Sequence, residues 1–571
     1  MPESDRSTRA TIEIEGRELD TAIVPDLERV VVDDHLHLPD MFEITLRDHA
    51  RDVLDRTNLR IGAKVKISAP ALGSTTAEVL VTGEVTSVEA AYTSSGSKVI
   101  VRGYDHAHRL TRGRRTETYR NVKCSDVART VTSRAGLEAG TIDDSGEVLD
   151  YIPQANQTDM EFLRGLARPI GFEVAVLGGK LDFRRPTEAS EAPGTGDFSS
   201  TDPTQLVFGQ DLLEFRPRVT SGGQVSEVQV RGWSVADKAA LVGTAQGGTT
   251  SASLPDDPAG LASRFGSPTQ VVVDRALGSQ RAVDDAARAK AEAIGSAFAE
   301  ATGTARGNPA LKAGKAVSVS LVAAPFTGRY TLTHTRHVFD EQAGYRTEIV
   351  VSGRQERSLL GLASGGVGGV SAPAVAGVVI GVVTDAADPD KMGRVKLKFP
   401  WLADDFETDW ARVTMLGAGP DRGAVFIPEV NDEVLVAFEH GDFRAPFVIG
   451  GLWNGQDAAP DHDTSNGLQE RTIVSRLGNK VILVDKDGSA GIRLVTAGGQ
   501  YEIVLDEGAS EVVVKAGGGK VRIEAQQDVA LEATGKLTLK GTGGVEITSN
   551  ANVDISATGN ATVKGAMVQL G

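Results

Sequence analysis

The chain carries a single cysteine, Cys124, among 571 residues, which excludes an intrachain disulfide and any cysteine-based zinc cluster. Aromatic residues make up only 5%. With 65 glycines beside them, that scarcity points to β structure with many turns. Proline disappears after Pro460, so nothing downstream of it breaks a hydrogen-bond ladder. Histidine is absent after His462, which leaves the C-terminal part without imidazole or thiolate metal ligands. An excess of positive charge is missing too. The formal net charge of −17 argues against nucleic acid or an anionic membrane as the main partner. The opening MPESDRSTRA has no apolar segment of a secretory signal, so the chain is expected to be made and assembled in the cytoplasm. Charge is also absent between Arg357 and Asp385, but that run holds seven glycines and Pro373. A Gly-rich linker over 358–376 is the expectation there, rather than a membrane helix.

What is present is, first, a repeat. From Val521 onward, apolar pairs two residues apart return every eight residues: Val521/Ile523, Val529/Leu531, Leu537/Leu539, Val545/Ile547, Val553/Ile555 and Ala561/Val563. Upstream the same theme runs at wider intervals as Ile482/Val484, Ile492/Leu494, Ile503/Leu505 and Val512/Val514. Gly and Asn turns separate the pairs, and Tyr501 is the one aromatic residue after Asn479. Short strands with one apolar face, at a fixed period, mean a stacked repeat. One such stripe cannot close a core alone, but three copies sharing an axis could, and wrapping them would remove exposed sheet edges. Residues 479–571 are therefore expected to form a C-terminal intertwined trimeric β-prism, a needle built as a triple-stranded β-helix.

The first 357 residues alternate apolar and polar residues in short runs, at Thr11–Glu15, Phe42–Leu46, Lys64–Ile67, Glu78–Val88 and Lys98–Gly103. Three helices are expected among the strands: Ser125–Ala135 capped by Ser125, a second capped by Thr158 or Asp159 and ended by Pro169, and an Ala-rich one over Ser279–Ala301. His35-x-His37 and His106-x-His108 would each place two imidazoles on one strand face. With no third ligand they read as surface histidines rather than a metal site.

Residues 377–455 read as about five strands with tight turns at Asp388-Pro389-Asp390, Gly419-Pro420-Asp421, Glu429–Asp432 and Gly441-Asp442, the size and count of a five-stranded OB barrel. This stretch resembles the OB domain of the VgrG and phage tail-spike family. The residues that carry the resemblance are Asp388, Pro389, Gly393, Arg394, Phe399, Pro400, Trp401, Trp410, Arg412, Pro428, Glu429, Asp432, Glu433, Gly441 and Asp442. QANQTDMEFLRGLARPIGFEV, starting at Gln154, resembles the phage tail-hub, or late-control-D, domains. The expected architecture is mainly β and multidomain: a β-rich hub with a few helices over 1–357, the 358–376 linker, the barrel, a short linker over 456–478, and the needle.

The resemblance implies the structural spike and hub of a contractile injection system, a phage-tail-like particle outside the cell or delivered into a target on contraction. Its partners would be two further copies in a homotrimer, a hexameric inner tube and baseplate proteins at the hub, effector cargo, and a PAAR-type tip protein at Met567, Val568, Gln569, Leu570 and Gly571. A target membrane would be met only on firing. A type VI secretion VgrG and a prophage tail spike are the alternatives. A receptor-binding fibre fits less well, because its bulky aromatic-rich knob is missing. An OB barrel that binds nucleic acid would stack bases on Phe399, Trp401 and Trp410 beside Arg394, Lys396 and Lys398, but the acidic total opposes it. No enzyme, no cofactor and no metal site are expected. Asp457, Asp461, His462 and Asp463 read as an acidic linker, Asn454–Gly478 is too short for a catalytic domain, and no toxin is expected past the repeat.

Overall fold

The structure is a computed structural model that describes residues 9–71, 76–94, 96–196, 202–354 and 375–569. It is 40% strand and 13% helix. The chain divides into two compact units, Met1–Asn454 and Gly455–Gly571. Most of the expected linker 358–376 lies outside the described residues. Among the described residues no helix is long and apolar enough to cross a membrane.

In the first unit, strand patterning decides the architecture. Met41–Arg47 reads MFEITLR and buries Phe42, Ile44 and Leu46, the period-2 signature of a half-buried strand. It belongs to an eleven-stranded sheet. Leu27–His35 pairs antiparallel with His334–Asp340, so one sheet stitches the first hundred residues to the last strands of the hub. A second core gathers around the helices Cys124–Arg134 and Asp159–Ala167. A third lies under the strands Ala316–Ser320 and Gly328–Thr331. The helix Gln280–Gly295 covers one face of a small sheet through Val283 and Ala287, which meet Val228 and Val230.

Three sequence expectations need correction here. The helix expected from Ser125 starts at Cys124 with Lys123 as its cap residue, because Asp126 reaches back to accept the Lys123 N–H at 3.2 Å. The Ala-rich helix stops at Gly295, and Ala299–Arg306 is a strand paired with both Leu212–Val219 and Gly344–Val351. Its sequence, AEATGTAR, goes where two neighbours supply backbone partners, and tertiary pairing overrides helix propensity. His106 and His108 lie not on a strand but in the 3-10 turn His106–Thr111, capped by Asp105.

The barrel has the expected five strands, in the order Lys396–Lys398, Val378–Asp385, Glu433–Phe438, Pro446–Gly451, Arg412–Val413. A bridge between Val395 and Ala411 joins the two outer strands, which brings the sheet round on itself as a barrel. Phe399, Phe406, Val434 and Val436 fill it.

The second unit contains an antiparallel five-stranded meander: Glu470–Val474, Lys480–Val484, Gly491–Val495, Tyr501–Asp506 and Glu511–Ala516. Its first strand falls inside the stretch expected to be a linker, because Glu470–Val474 has an adjacent partner in Lys480–Val484. From Gly517 to Gln569 the described residues join no ladder within the chain and are exposed.

Candidate functional site

The barrel residues singled out in the sequence are mostly turn clamps. Asp388 accepts the backbone N–H groups of Asp390 at 3.1 Å, Met392 at 2.8 Å and Arg394 at 3.2 Å. It also receives the Arg394 guanidinium, at 3.1 Å from Nε and 2.6 Å from Nη2. These bonds favour the ionised form and hold the Asp388 carboxyl well below the usual carboxylate range. Pro389 sits within this turn, and Gly393 takes a φ of +72° that a side chain would resist. Arg394 and Lys396 lie over the Trp410 ring at 5.9 and 5.0 Å, and Arg412 lies over Phe447. Phe399 is fully buried, and Pro400 opens the turn in which the Leu402 N–H donates to the Phe399 carbonyl. Trp401 donates from Nε1 to the Ile380 carbonyl at 2.8 Å. In the turn after Pro428, the Glu429 N–H donates to Asp432 Oδ2 at 2.8 Å, Glu433 accepts from Asn454 at 2.9 Å, and Gly441 adopts positive φ beside Asp442, which binds Arg444.

The three aromatic candidates for base stacking are not placed alike: Phe399 is inside the barrel, Trp410 lies under two cations, and Trp401 is exposed. Among the described residues no group of three or more His, Cys, Asp or Glu is placed to hold a metal ion. His35 faces His37 and His334, with ring centroids 5.9 and 5.2 Å away, and His334 binds Asp33 at 2.6 Å. Of the acidic linker residues, His462 bonds the Pro460 carbonyl two residues back, and Asp463 accepts from the Ser465 N–H.

The unusual surface is in the second unit. Strand register puts Ile473 opposite Val481, Val481 opposite Leu494, Leu483 opposite Ile492, Ile492 opposite Leu505, Leu494 opposite Ile503, Leu505 opposite Val512 and Ile503 opposite Val514. Because side chains alternate across a strand, these residues make two adjacent apolar columns on one face, each 39 to 68% exposed. The first pair of the repeat is thus Val481/Leu483. Ile482 and Val484, expected in that place, point to the opposite face, where Ile482 is buried. KVILV is apolar at four consecutive positions, so periodicity alone could not choose the face. Further on, Val521, Ile523, Val529, Leu531, Leu537, Leu539, Val545, Ile547, Val553, Ile555 and Val563 are all 52 to 80% exposed. Met567, Val568 and Gln569 are exposed as well, and Leu570 and Gly571 lie outside the described residues. Contiguous apolar surface on this scale marks an interface.

Sequence reasoning missed the contact between hub and barrel. Tyr151, on the hub strand Val148–Gln157, is 7% exposed and packs within the barrel core. Arg120 from the paired strand Arg115–Lys123 donates to Glu407 and to the Thr408 carbonyl. Nothing in the local pattern at Tyr151 distinguishes it from any other strand aromatic.

A family model described as the Alg8 N-terminal domain matches residues 4–341, and one described as the type VI secretion system/phage-baseplate injector OB domain matches residues 379–453. The type VI secretion system spike protein VgrG3 of Vibrio cholerae is 30% identical over 152 residues, which cover 25% of this chain and 15% of that protein. The spike protein VgrG2a of Pseudomonas aeruginosa is 29% identical over 144 residues, 24% of this chain and 17% of its own length. The matches thus span under a fifth of these relatives. A chain of the lidded Francisella PdpA–VgrG complex aligns with 90% of this chain and 81% of its own, at a TM-score of 0.52 and 11% identity. That likeness is one of fold.

Proposed function

We infer the role of this chain from its family: it belongs to the VgrG and phage-tail hub-and-spike proteins, with an Alg8-type N-terminal domain ahead of the injector barrel. The proposed role is that of a structural, non-enzymatic trimeric spike in a contractile, phage-tail-like particle. Residues 1–357 serve as the hub that meets a hexameric tube and the baseplate, and residues 479–571 serve as the needle. A tip protein docks at Met567–Gly571, cargo rides on the assembly, and a target membrane is met only on firing. The chain is assembled in the cytoplasm before the particle acts.

The observation that carries this reading is the apolar double column from Ile473 through Val514, followed by the exposed apolar pairs from Val521 onward, all left open to solvent by the described residues of the chain. Burial is worth roughly 25 cal/mol per Å² of apolar surface, so a chain presenting so many large side chains gains most by sharing them around a common axis. Three copies would also supply the strand-ladder partners that Gly518–Gln569 do not find among the described residues of one chain. A type VI secretion setting is the second reading, favoured by the curated relatives, which are type VI spike proteins.

The test is the mass of the full-length protein in solution, with and without SDS at room temperature. A particle of three times 59.9 kDa that survives SDS is expected. A monomer at micromolar concentration would overturn the shared-axis needle.

A further inference from the structure

We propose that the strand pair Arg115–Lys123 and Val148–Gln157 is a latch by which the hub completes and locks the barrel, so that the two open as one body. Tyr151 is the plug. Its ring stands edge-on to Phe406, with centroids 6.5 Å apart, inside the cluster that also holds Phe399, Val434 and Val436. The barrel therefore has a core with one wall supplied from outside its own sequence. Directly across the strand pair from Tyr151 is Arg120, whose guanidinium lies 5.5 Å from the centre of the Tyr151 ring. Arg120 Nη2 reaches Glu407 Oε2 at 3.1 Å, the Glu407 carbonyl at 3.4 Å and the Thr408 carbonyl at 3.3 Å. Glu407 in turn accepts from Thr384 Oγ1 at 2.8 Å and faces Lys396, so the cation from the hub binds a residue already tied to two barrel strands.

The Tyr151 hydroxyl is buried and finds no hydrogen-bond partner among the described residues. What the residue contributes is its ring, and the oxygen is a cost. That asymmetry separates a packing latch from a polar one. Tyr151→Phe should keep the latch, and Tyr151→Ala should open a cavity in the barrel that the barrel cannot refill alone. The mechanical meaning, that thrust on the hub reaches the barrel without slack, rests on the spike reading. The latch itself concerns one chain and holds whatever the number of copies.

Hydrogen exchange of the full-length protein, followed by mass spectrometry, tests it. In the wild type, peptides over Glu433–Phe438 should exchange with the same opening free energy as those over Met41–Arg47 in the hub. In Tyr151→Ala the barrel peptides should exchange on the order of a hundredfold faster, the factor implied by losing a core aromatic, with the hub peptides unchanged. Tyr151→Phe should match the wild type, and Arg120→Ala, which leaves both cores filled, should loosen the barrel alone by a smaller factor. Three results would overturn the latch: a wild-type barrel that already opens independently of the hub, a Tyr151→Ala barrel that exchanges like the wild type or only together with the hub, or Tyr151→Phe loosening the barrel as much as Tyr151→Ala does.

Discussion

Asp388 takes three backbone N–H groups and the Arg394 guanidinium at once, and its side chain is only 4% exposed. Charge-assisted bonds are the stronger kind, and removing one partner leaves the other uncompensated. Asp388→Ala should therefore lower barrel stability by roughly 1.5–3 kcal/mol, read as a drop in the urea midpoint with an unchanged slope. The pH dependence has a definite sign. Asp388 binds its proton more weakly in the fold than in the unfolded chain, so its contribution is complete above pH ~4 and fades as pH falls below that. Three buried acids in the hub act the other way. Asp34 accepts from the Ala313 N–H at 3.0 Å, Asp40 from the His35 N–H at 3.1 Å, and Asp105 from the Ala107 N–H at 3.1 Å. Burial pushes Asp34 up to about 6 and Asp105 up to about 8, and burial together with the Asp34 and Asp105 charges pushes Asp40 upward. Above pH ~4 the unfolded acids give up their protons while the folded ones retain them, so these three acids cost the hub stability as pH rises towards about 8. The imidazoles of His37 and His337, which burial holds neutral in the fold, act in the opposite sense below pH ~6.5, where the unfolded chain would protonate them. Above the range where the unfolded histidines titrate the acids act alone, so the hub should melt higher at pH ~6.5 than at pH ~8, and Asp105→Asn should shrink that difference. Equal melting temperatures at the two pH values in the wild type would contradict this account.

Elements were legible where their signals are local. Thr158-Asp159-Met160-Glu161 is a capping box in sequence, and the fold makes it one: Thr158 Oγ1 accepts from the Glu161 N–H at 3.2 Å, and Glu161 accepts from the Thr158 N–H at 3.0 Å. Thr158→Ala should cost about 1 kcal/mol, seen as a fall in the hub melting temperature, and Thr158→Ser should restore most of it. Legibility failed where distant partners decide. Ser125 resembles a cap, yet its own N–H donates to Ser145 Oγ, and the helix begins one residue earlier on the Lys123–Asp126 pair. Ala299–Arg306 carries helix-forming alanines, but two strands from elsewhere in the hub claim its backbone. Tyr151 had no signal at all, because its partner core is more than two hundred residues away in sequence. The turn chemistry of the barrel was readable for the opposite reason: Asp388 and Arg394, or Glu429 and Asp432, satisfy each other within a few residues.

At the scale of the molecule, the repeat says that something must cover the apolar columns, and the register says which residues those are. This makes two substitutions in neighbouring strands diagnostic. Leu494 is 42% exposed in the single chain and Ile482 is 7% exposed, although both lie in the same meander and are of similar size. An aspartate in place of Ile482 buries a charge against the chain's own sheet and should destabilise the meander whether or not copies associate. An aspartate in place of Leu494 costs an isolated chain little, since water reaches that side. In a shared-axis trimer the same change brings three carboxylates together in a dry core, and an uncompensated buried charge costs about 3–5 kcal/mol each. Leu494→Asp and Ile555→Asp should therefore sediment as folded monomers, with hub and barrel melting as in the wild type, while Ile482→Asp should lose meander structure at any concentration. A Leu494→Asp trimer as stable as the wild type would mean that the exposed column faces water in the assembly, and the copies would then have to meet through the Ile482 side or through the hub alone.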